Sequence, residues 1–248
     1  MKDSDSGEIT KELINWSVYS ENYDALCDAN PAYQENVNIF RERLKNLKIP
    51  SRPRVCDLGA GTGNFLIEVG KQFPGAELHH VDWNESMTAI ARKKYDREGL
   101  EVVVHERDIR DVDFPQGTFD LVVCVNAIYA MPEPDIVLRN LRNWTNIGGF
   151  LYVIDFGRQV QLIDWAYYIL KNRVKELGLR NAIRWYRDNA ENLKQNRKGA
   201  KAQTDGSYWL HSNEEFATRL QGAGWEIELL ETCYRDCCDL AVCTNPRS

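Results

Sequence analysis

Val55-Cys56-Asp57-Leu58-Gly59-Ala60-Gly61-Thr62-Gly63 decides the fold. An apolar run ends in an acid, and three glycines at alternate positions follow it. Residues 54–58 read as a short strand and residues 64–73 as a helix closed by Pro74-Gly75. The glycines therefore form a strand-to-helix turn. Glycine suits such a turn because it accepts positive φ and lets a ligand approach the backbone with no Cβ in the way. Ordinary turn punctuation also uses glycine, so the surrounding pattern has to decide between the two readings.

Outward from this turn the same rhythm continues. Residues 77–81, 101–105, 119–125 and 150–154 read as strands. Helices are expected over 85–97, stopped by Gly99, and over 134–144, stopped near Gly148-Gly149. Alternation of this length predicts a parallel sheet with helices on both faces. The run Leu121-Val122-Val123-Cys124-Val125 is apolar without alternation, as a central strand covered on both sides should be. After residue 205 a helix over 213–222, with Ser212 as its cap, leads to strands over 225–233 and 239–244. Their short connection predicts an antiparallel hairpin. The fold class is thus α/β: a seven-stranded, mostly parallel sheet with an antiparallel terminal hairpin and a helical lid insertion.

At 248 residues, one domain is expected. It divides into an N-terminal helical cap (1–50), a core (51–157), a helical lid (158–211) and a C-terminal helix with hairpin (212–248). The first ten residues are expected to fray. Residues 11–47 read as helical with one break at Asn30-Pro31, since proline is at home in a first helical turn. The polar, acidic N-terminus has neither the apolar segment of a secretory signal nor the character of a transit peptide. No apolar run approaches the roughly 20 residues of a membrane span. A cytoplasmic protein with no membrane partner is expected.

Charge and cysteines narrow the chemistry. The formal net charge of −6 argues against a nucleic-acid partner. The average hides an asymmetry: residues 158–201 hold eleven Lys and Arg against four acids, so this segment is +7 and the remainder −13. Such a run is either a solvated face or a funnel for an acidic substrate. The seven cysteines include Cys56 and Cys124 inside strand-like runs, where they read as small buried hydrophobes. The cluster from Cys233 to Cys243 matches no zinc spacing, so no metal is expected.

In a parallel sheet, ligands bind at the carboxyl ends of the strands. Asp57 ends the first strand, Asp82 the second, and Asp108 follows the third. An acid at Asp82 can accept hydrogen bonds from both hydroxyls of a ribose. Asp108 with the Ile109 N–H can read an adenine edge. The glycine spacing is not the GxGxxG of dinucleotide sites, and no GxxxxGK(S/T) phosphate loop is present.

Taken together, residues 55–63, Val81-Asp82-Trp83-Asn84-Glu85-Ser86-Met87, Arg107-Asp108-Ile109, Phe119-Asp120-Leu121-Val122-Val123 and Gly148-Gly149-Phe150-Leu151 resemble, in order, the motifs of the class I S-adenosylmethionine-dependent methyltransferases. The resemblance covers roughly residues 52–156 and the terminal hairpin. It implies a Rossmann-like methyltransferase sheet and S-adenosyl-L-methionine as cofactor. Asp57, Gly59, Ala60, Gly61 and Gly63 would lie near the methionine end and Asp82 on the ribose. Trp83 and Met87 would lie against the adenine, with Asp108 and Ile109 at its edge. The reaction implied is in-line methyl transfer to a small, anionic or aromatic metabolite.

Other positions stay open at this point. Asn126 and Tyr129 follow the fourth strand beside the expected sulfonium, where Tyr129 either orients substrate or only covers cofactor. The Asn/Asp-Pro-Pro-Tyr/Phe motif of many amino-directed enzymes is missing, because Ala127 and Ile128 stand in place of the prolines. Trp16, Tyr19 and Tyr23 either close over the cofactor or fill the core. Within the lid, Trp165, Trp185, Arg184, Arg187 and Arg197 are candidates for substrate contact. His211 is either a general base or a structural histidine. The overall plan is also similar to carboxy-S-adenosylmethionine synthase, which needs an arginine for a carboxylate, and a tRNA-directed enzyme or a non-catalytic scaffold would use the same cofactor site. A monomer or homodimer fits each reading.

Overall fold

The computed structural model describes residues 13–247. The fraying of the first ten residues, and the helix start at residue 11, lie outside them. Three helices open the chain: α1 (Trp16–Ser20), α2 (Tyr23–Ala29) and α3 (Pro31–Leu44). One break was expected and there are two. Asn22 leaves the helical region at φ −128°, ψ 18°, in keeping with asparagine's competition for backbone hydrogen bonds. Pro31 starts α3 with the Asn30 side chain accepting from the Ala32 N–H.

The core then runs β1 (Arg54–Leu58), α4 (Asn64–Gln72), β2 (Glu77–Asp82), α5 (Glu85–Glu98), β3 (Val102–Glu106), β4 (Phe119–Val125), α6 (Pro134–Trp144) and β5 (Thr145–Phe156). An insertion follows, made of α7 (Leu162–Leu177), α8 (Leu179–Asp188) and α9 (Ala190–Thr204). The chain closes with α10 (Asn213–Gly222), β6 (Glu226–Cys233) and β7 (Cys238–Thr244). All seven strands form one sheet in the order β3-β2-β1-β4-β5-β7-β6. β7 runs antiparallel to both β5 and β6, and the other pairs are parallel.

β4 shows why an unbroken apolar run is required. Leu121 and Val123 join one core cluster with Phe40, Leu66 and Tyr152; Val122 and Cys124 join the other with Leu138, Leu141 and Phe216. Each side chain is buried because helices cover both faces. β5 begins earlier than the glycine pair suggests. Thr145 already pairs with Phe119, and the register shifts before Leu121 meets Phe150. A Cβ on Gly149 would lie 3.0 Å from the Asp120 carbonyl oxygen, so a glycine lets this irregular stretch stay in the sheet.

This strand order positions the site. The chain winds outward from β1 to β2 to β3, then crosses back to place β4 on the other side of β1. The reversal opens a crevice above the carboxyl ends of β1 and β4. The cap and the insertion meet over it. Gln195 Oε1 accepts from the Asn15 N–H at 3.0 Å, the Tyr19 hydroxyl donates to Asn196 Oδ1 at 2.6 Å, and Asn192 Nδ2 donates to the Tyr19 carbonyl at 2.8 Å. The base of the insertion is fixed by Arg158, whose Nη1 lies 2.6 Å from the buried Asp239 Oδ2.

Candidate functional site

The turn after β1 takes the left-handed backbone that its glycines anticipate, with φ of +66° at Gly59, +55° at Gly61 and +79° at Gly63. It folds against β2: the Gly59 and Ala60 N–H groups donate to the Val81 carbonyl at 2.8 and 3.2 Å. A Cβ on Gly59 would lie 2.5 Å from the Ala127 Cβ. Only glycine lets this turn and the loop after β4 stand so close, and a cleft of about 380 Å³ forms beside them.

Asp57, Gly59, Ala60, Gly61, Asp82, Trp83, Met87, Asp108, Ile109 and Asn126 all line this one cleft. Gly63 is behind it, as the cap of α4. The Asp82 carboxylate accepts from the Gly61 and Asn84 N–H groups, each at 2.8 Å. A carboxylate has about four acceptor positions, and the Trp83 N–H is a third backbone donor to it, which leaves room for a ligand hydroxyl. Burial raises the Asp82 carboxyl above its ordinary range, against those backbone hydrogen bonds. Asp57 is buried, and desolvation together with the Asp82 charge pushes its carboxyl up to about 8. Trp83 is 61 % exposed, so it is not a packing residue but an uncovered ring at the cleft. Asp108 is held by Arg110, whose Nη2 lies 2.6 Å from Oδ2, and that hydrogen bond lowers its carboxyl below the usual range.

No motif marks how the cap is fastened to this cleft. Asp24 on α2 accepts from Thr62 Oγ1 at 2.7 Å and from Asn64 Nδ2 at 3.3 Å. Lys94 on α5 reaches Asp24 Oδ2 at 3.0 Å and also donates to Asn64 Oδ1. One carboxylate thus joins α2, the glycine turn and α5. Tyr33 and Met131 also line the cleft and carry no motif that would have marked them, as does Arg107 beside the Asp108 motif position.

A second cavity, of about 540 Å³, adjoins the first. The two share Ile14, Trp16, Tyr23, Tyr33, Asn126 and Tyr208. Asn126 stands at the junction with φ +51°, a conformation asparagine tolerates better than most residues. Tyr129, Trp165 and Arg197 line the second cavity, and Arg197 is the one charged side chain among its described lining residues. The Tyr129 N–H donates to the buried Asp155 at 2.9 Å, which fixes the loop after β4.

Five further candidate residues lie away from the cofactor cleft. Tyr19 lines the second cavity, not the cofactor cleft, because α1 turns its ring toward α9. His211 lies outside both cavities: it is buried, stacked on Phe216 at 4.4 Å between ring centroids, with Nδ1 3.4 Å from Asp239 Oδ2. Arg184 and Arg187 are exposed and line neither cavity. Trp185 also lines neither and sits under the Arg173 guanidinium, 5.6 Å from its ring centroid. Arg184 and Arg187 follow the outer side of α8, whereas Trp185 is half-buried on the flank that meets α7. The seven cysteines are free and buried, and the Trp165 indole N–H donates to Cys237 Sγ at 3.4 Å. No group of three metal-ligating side chains is assembled among the described residues.

Asp82 offers a direct test of the cleft. Asp82→Ala is expected to weaken S-adenosylhomocysteine binding by about 1–3 kcal/mol, the cost of lost charge-assisted hydrogen bonds. Calorimetry showing unchanged affinity would remove the ribose from this position.

Comparison with known proteins agrees with this geometry. The family model described as "Methyltransferase domain" matches residues 55–149. Demethylmenaquinone methyltransferase of Thermus thermophilus is 34 % identical over 118 residues, 47 % of this chain and 54 % of that protein. The ubiquinone/menaquinone biosynthesis C-methyltransferase of Burkholderia cenocepacia is 29 % identical over 122 residues, 49 % of this chain and 50 % of that one. The chain spans about half the length of these curated relatives. In fold, the crystal structure of a SAM-dependent methyltransferase from Aquifex aeolicus superposes with a TM-score of 0.56 at 17 % identity, covering 82 % of this chain and 88 % of that one. Residues 55–149 match a methyltransferase domain, and the chain has the fold of the class I S-adenosylmethionine-dependent methyltransferases, whose cofactor is S-adenosyl-L-methionine.

Proposed function

We propose that the protein transfers a methyl group to a small aromatic metabolite bearing a negative charge or an ionisable hydroxyl. The observation that carries this reading is the aromatic chamber, which opens onto the cofactor cleft at Asn126. Asp57 and the glycine turn take the methionine end, Asp82 the ribose, Trp83 and Met87 the adenine faces, and Ile109 with Asp108 its edge. S-adenosylmethionine, when bound, supplies an activated methyl group. The chain's own part is to align the acceptor for in-line displacement and to exclude water. Tyr23, Tyr129, Phe156, Trp165 and Tyr208 give flat apolar walls, and Arg197 gives one cation. No carboxylate or histidine is among the described lining residues of the chamber. Burial raises the Tyr23 and Tyr129 hydroxyls well above their ordinary range, so they stay neutral. An acceptor that ionises by itself, such as a phenol or enol, suits that lining. One relative is named for demethylmenaquinone and another for ubiquinone/menaquinone biosynthesis, which supports a ring acceptor. The free cysteines support a reducing, cytoplasmic setting.

Release of S-adenosylhomocysteine across a panel of hydroxylated aromatic acids and quinols tests the proposal. Arg197→Ala is expected to raise KM about tenfold for anionic acceptors, the worth of one charge-assisted hydrogen bond, and to leave neutral ones unchanged. An equal effect on both, or turnover of none of the panel, contradicts it. A second reading, a carboxylated cofactor, draws on the same Arg197. Its place in the chamber instead of the cleft favours an anion on the substrate, and native mass spectrometry of the purified protein separates the two.

A further inference from the structure

The α7–α8 hairpin carries an apolar surface that no other described part of the chain covers. α7 buries Trp165 toward the core, yet Ile163, Tyr167 and Leu177 are exposed on its opposite side, with the half-buried Leu170 and Val174 at the same helical spacing between them. Ile163 is 89 % exposed and Tyr167 65 %; one turn apart on α8, Leu179 is 60 % and Ile183 57 % exposed. Five of the ten exposed large hydrophobic residues of the described chain fall within residues 163–183. Scattered exposed apolar residues are ordinary, but a cluster on two adjoining helices marks a contact surface.

Its charges identify the partner. At 100° per residue, α8 presents in sequence the buried Ala182, the exposed Leu179 and Ile183, then Arg180, Arg184 and Arg187. Arg180, Arg184, Lys171 and Lys175 are exposed and have no acidic partner among the described residues. This order, buried to apolar to basic, is that of a helix lying at the boundary of lipid and water. A second copy fits poorly, because a two-fold contact through this face would set the basic stripes against each other. A nucleic acid leaves the apolar residues without a role. Ile163 and Ala166 also line the aromatic chamber, so its mouth opens on the same face.

We propose that the α7–α8 hairpin seats on the surface of an anionic lipid bilayer, with the mouth of the chamber toward the acyl boundary. Such a contact needs no spanning helix, and among the described residues no helix is long and apolar enough to cross a membrane. The expectation of no membrane partner rested on span length alone and does not bear on a surface contact. The inference concerns binding and holds whatever the acceptor is.

Sedimentation of the full chain with vesicles of phosphatidylcholine, and of phosphatidylcholine with phosphatidylglycerol, tests it. Binding is expected to the anionic vesicles only and to fall with salt. Arg180→Gln with Arg184→Gln should weaken it about 25-fold, since each basic residue near such a surface contributes a factor of about five. Leu179→Glu with Ile183→Glu should abolish it. Circular dichroism and S-adenosylhomocysteine affinity should stay unchanged in both variants, which keeps folding and the cofactor cleft out of the result. Equal binding to both vesicle types, or binding to neither, overturns the proposal. So does a dimer in light scattering that the Leu179→Glu, Ile183→Glu variant dissolves without any vesicle binding.

Discussion

Asp57→Asn is expected to weaken S-adenosylmethionine binding at pH 8 by about 100-fold, ~3 kcal/mol, the scale for breaking a buried charge pair. In the free protein, burial and then the neighbouring Asp82 carboxylate push the Asp57 carboxyl up to about 8. At neutral pH it is therefore largely protonated. A cationic ligand placed beside it favours the ionised form, so binding below pH 8 expels a proton. Affinity should then rise with pH by up to tenfold per unit and level off near pH 8. Calorimetry in buffers of different ionisation enthalpy reads the proton directly: close to one released at pH 6.5, none in Asp57→Asn. If the wild-type chain releases no proton, Asp57 does not face the cofactor's charge. Stability moves the opposite way in the free protein. A carboxyl with a raised folded-state pKa holds its proton in the folded chain after the unfolded chain has lost it. Its contribution is thus favourable at low pH and is lost as pH rises from the ordinary carboxylate range toward 8. Asp57→Asn should flatten that slope in thermal melts.

The second large effect is expected at Gly63. A Cβ there would fall on the Tyr95 ring and hydroxyl, and the backbone sits at φ +79°. The positive φ costs an L-residue about 1–2 kcal/mol, and overfilling a packed site costs about 1–3 kcal/mol more. Gly63→Ala should therefore lose roughly 2–5 kcal/mol in urea unfolding. Tyr95 also donates to or accepts from His80 Nδ1 at 2.9 Å, so the ring is not free to swing aside. The double variant Gly63→Ala, Tyr95→Phe should regain only the part due to the hydroxyl. Full recovery would place the cost in the clash alone, and no initial loss would mean that the turn relaxes.

Much of this architecture was legible because its signals are local. β1, β4, α6 and α10 have the bounds that their apolar runs and breakers suggest. Asp57 and Asp82 could be placed together because each ends a strand of a parallel sheet, and such strands end on one side. β5 was read too short because Gly148-Gly149 looks like a stop, when Gly149 instead permits an irregular start against Asp120. The chamber was not legible: Tyr23, Tyr129, Trp165 and Tyr234 come from four separate segments. Helical spacing tells which residues share a face, but not what that face meets. For the same reason the sequence leaves Arg184 and Arg187 open between substrate contact and a solvated face, and His211 open between a base and a structural histidine, since each choice depends on what the element packs against.

The Asp24 carboxylate, shared by α2, the turn residue Thr62 and Lys94, ties the opening helices to the wall of the cleft. Lys94 is only 12 % exposed, so parting those helices from the glycine turn means taking a shielded ion pair apart. Any ligand that has to pass between them would wait on that step.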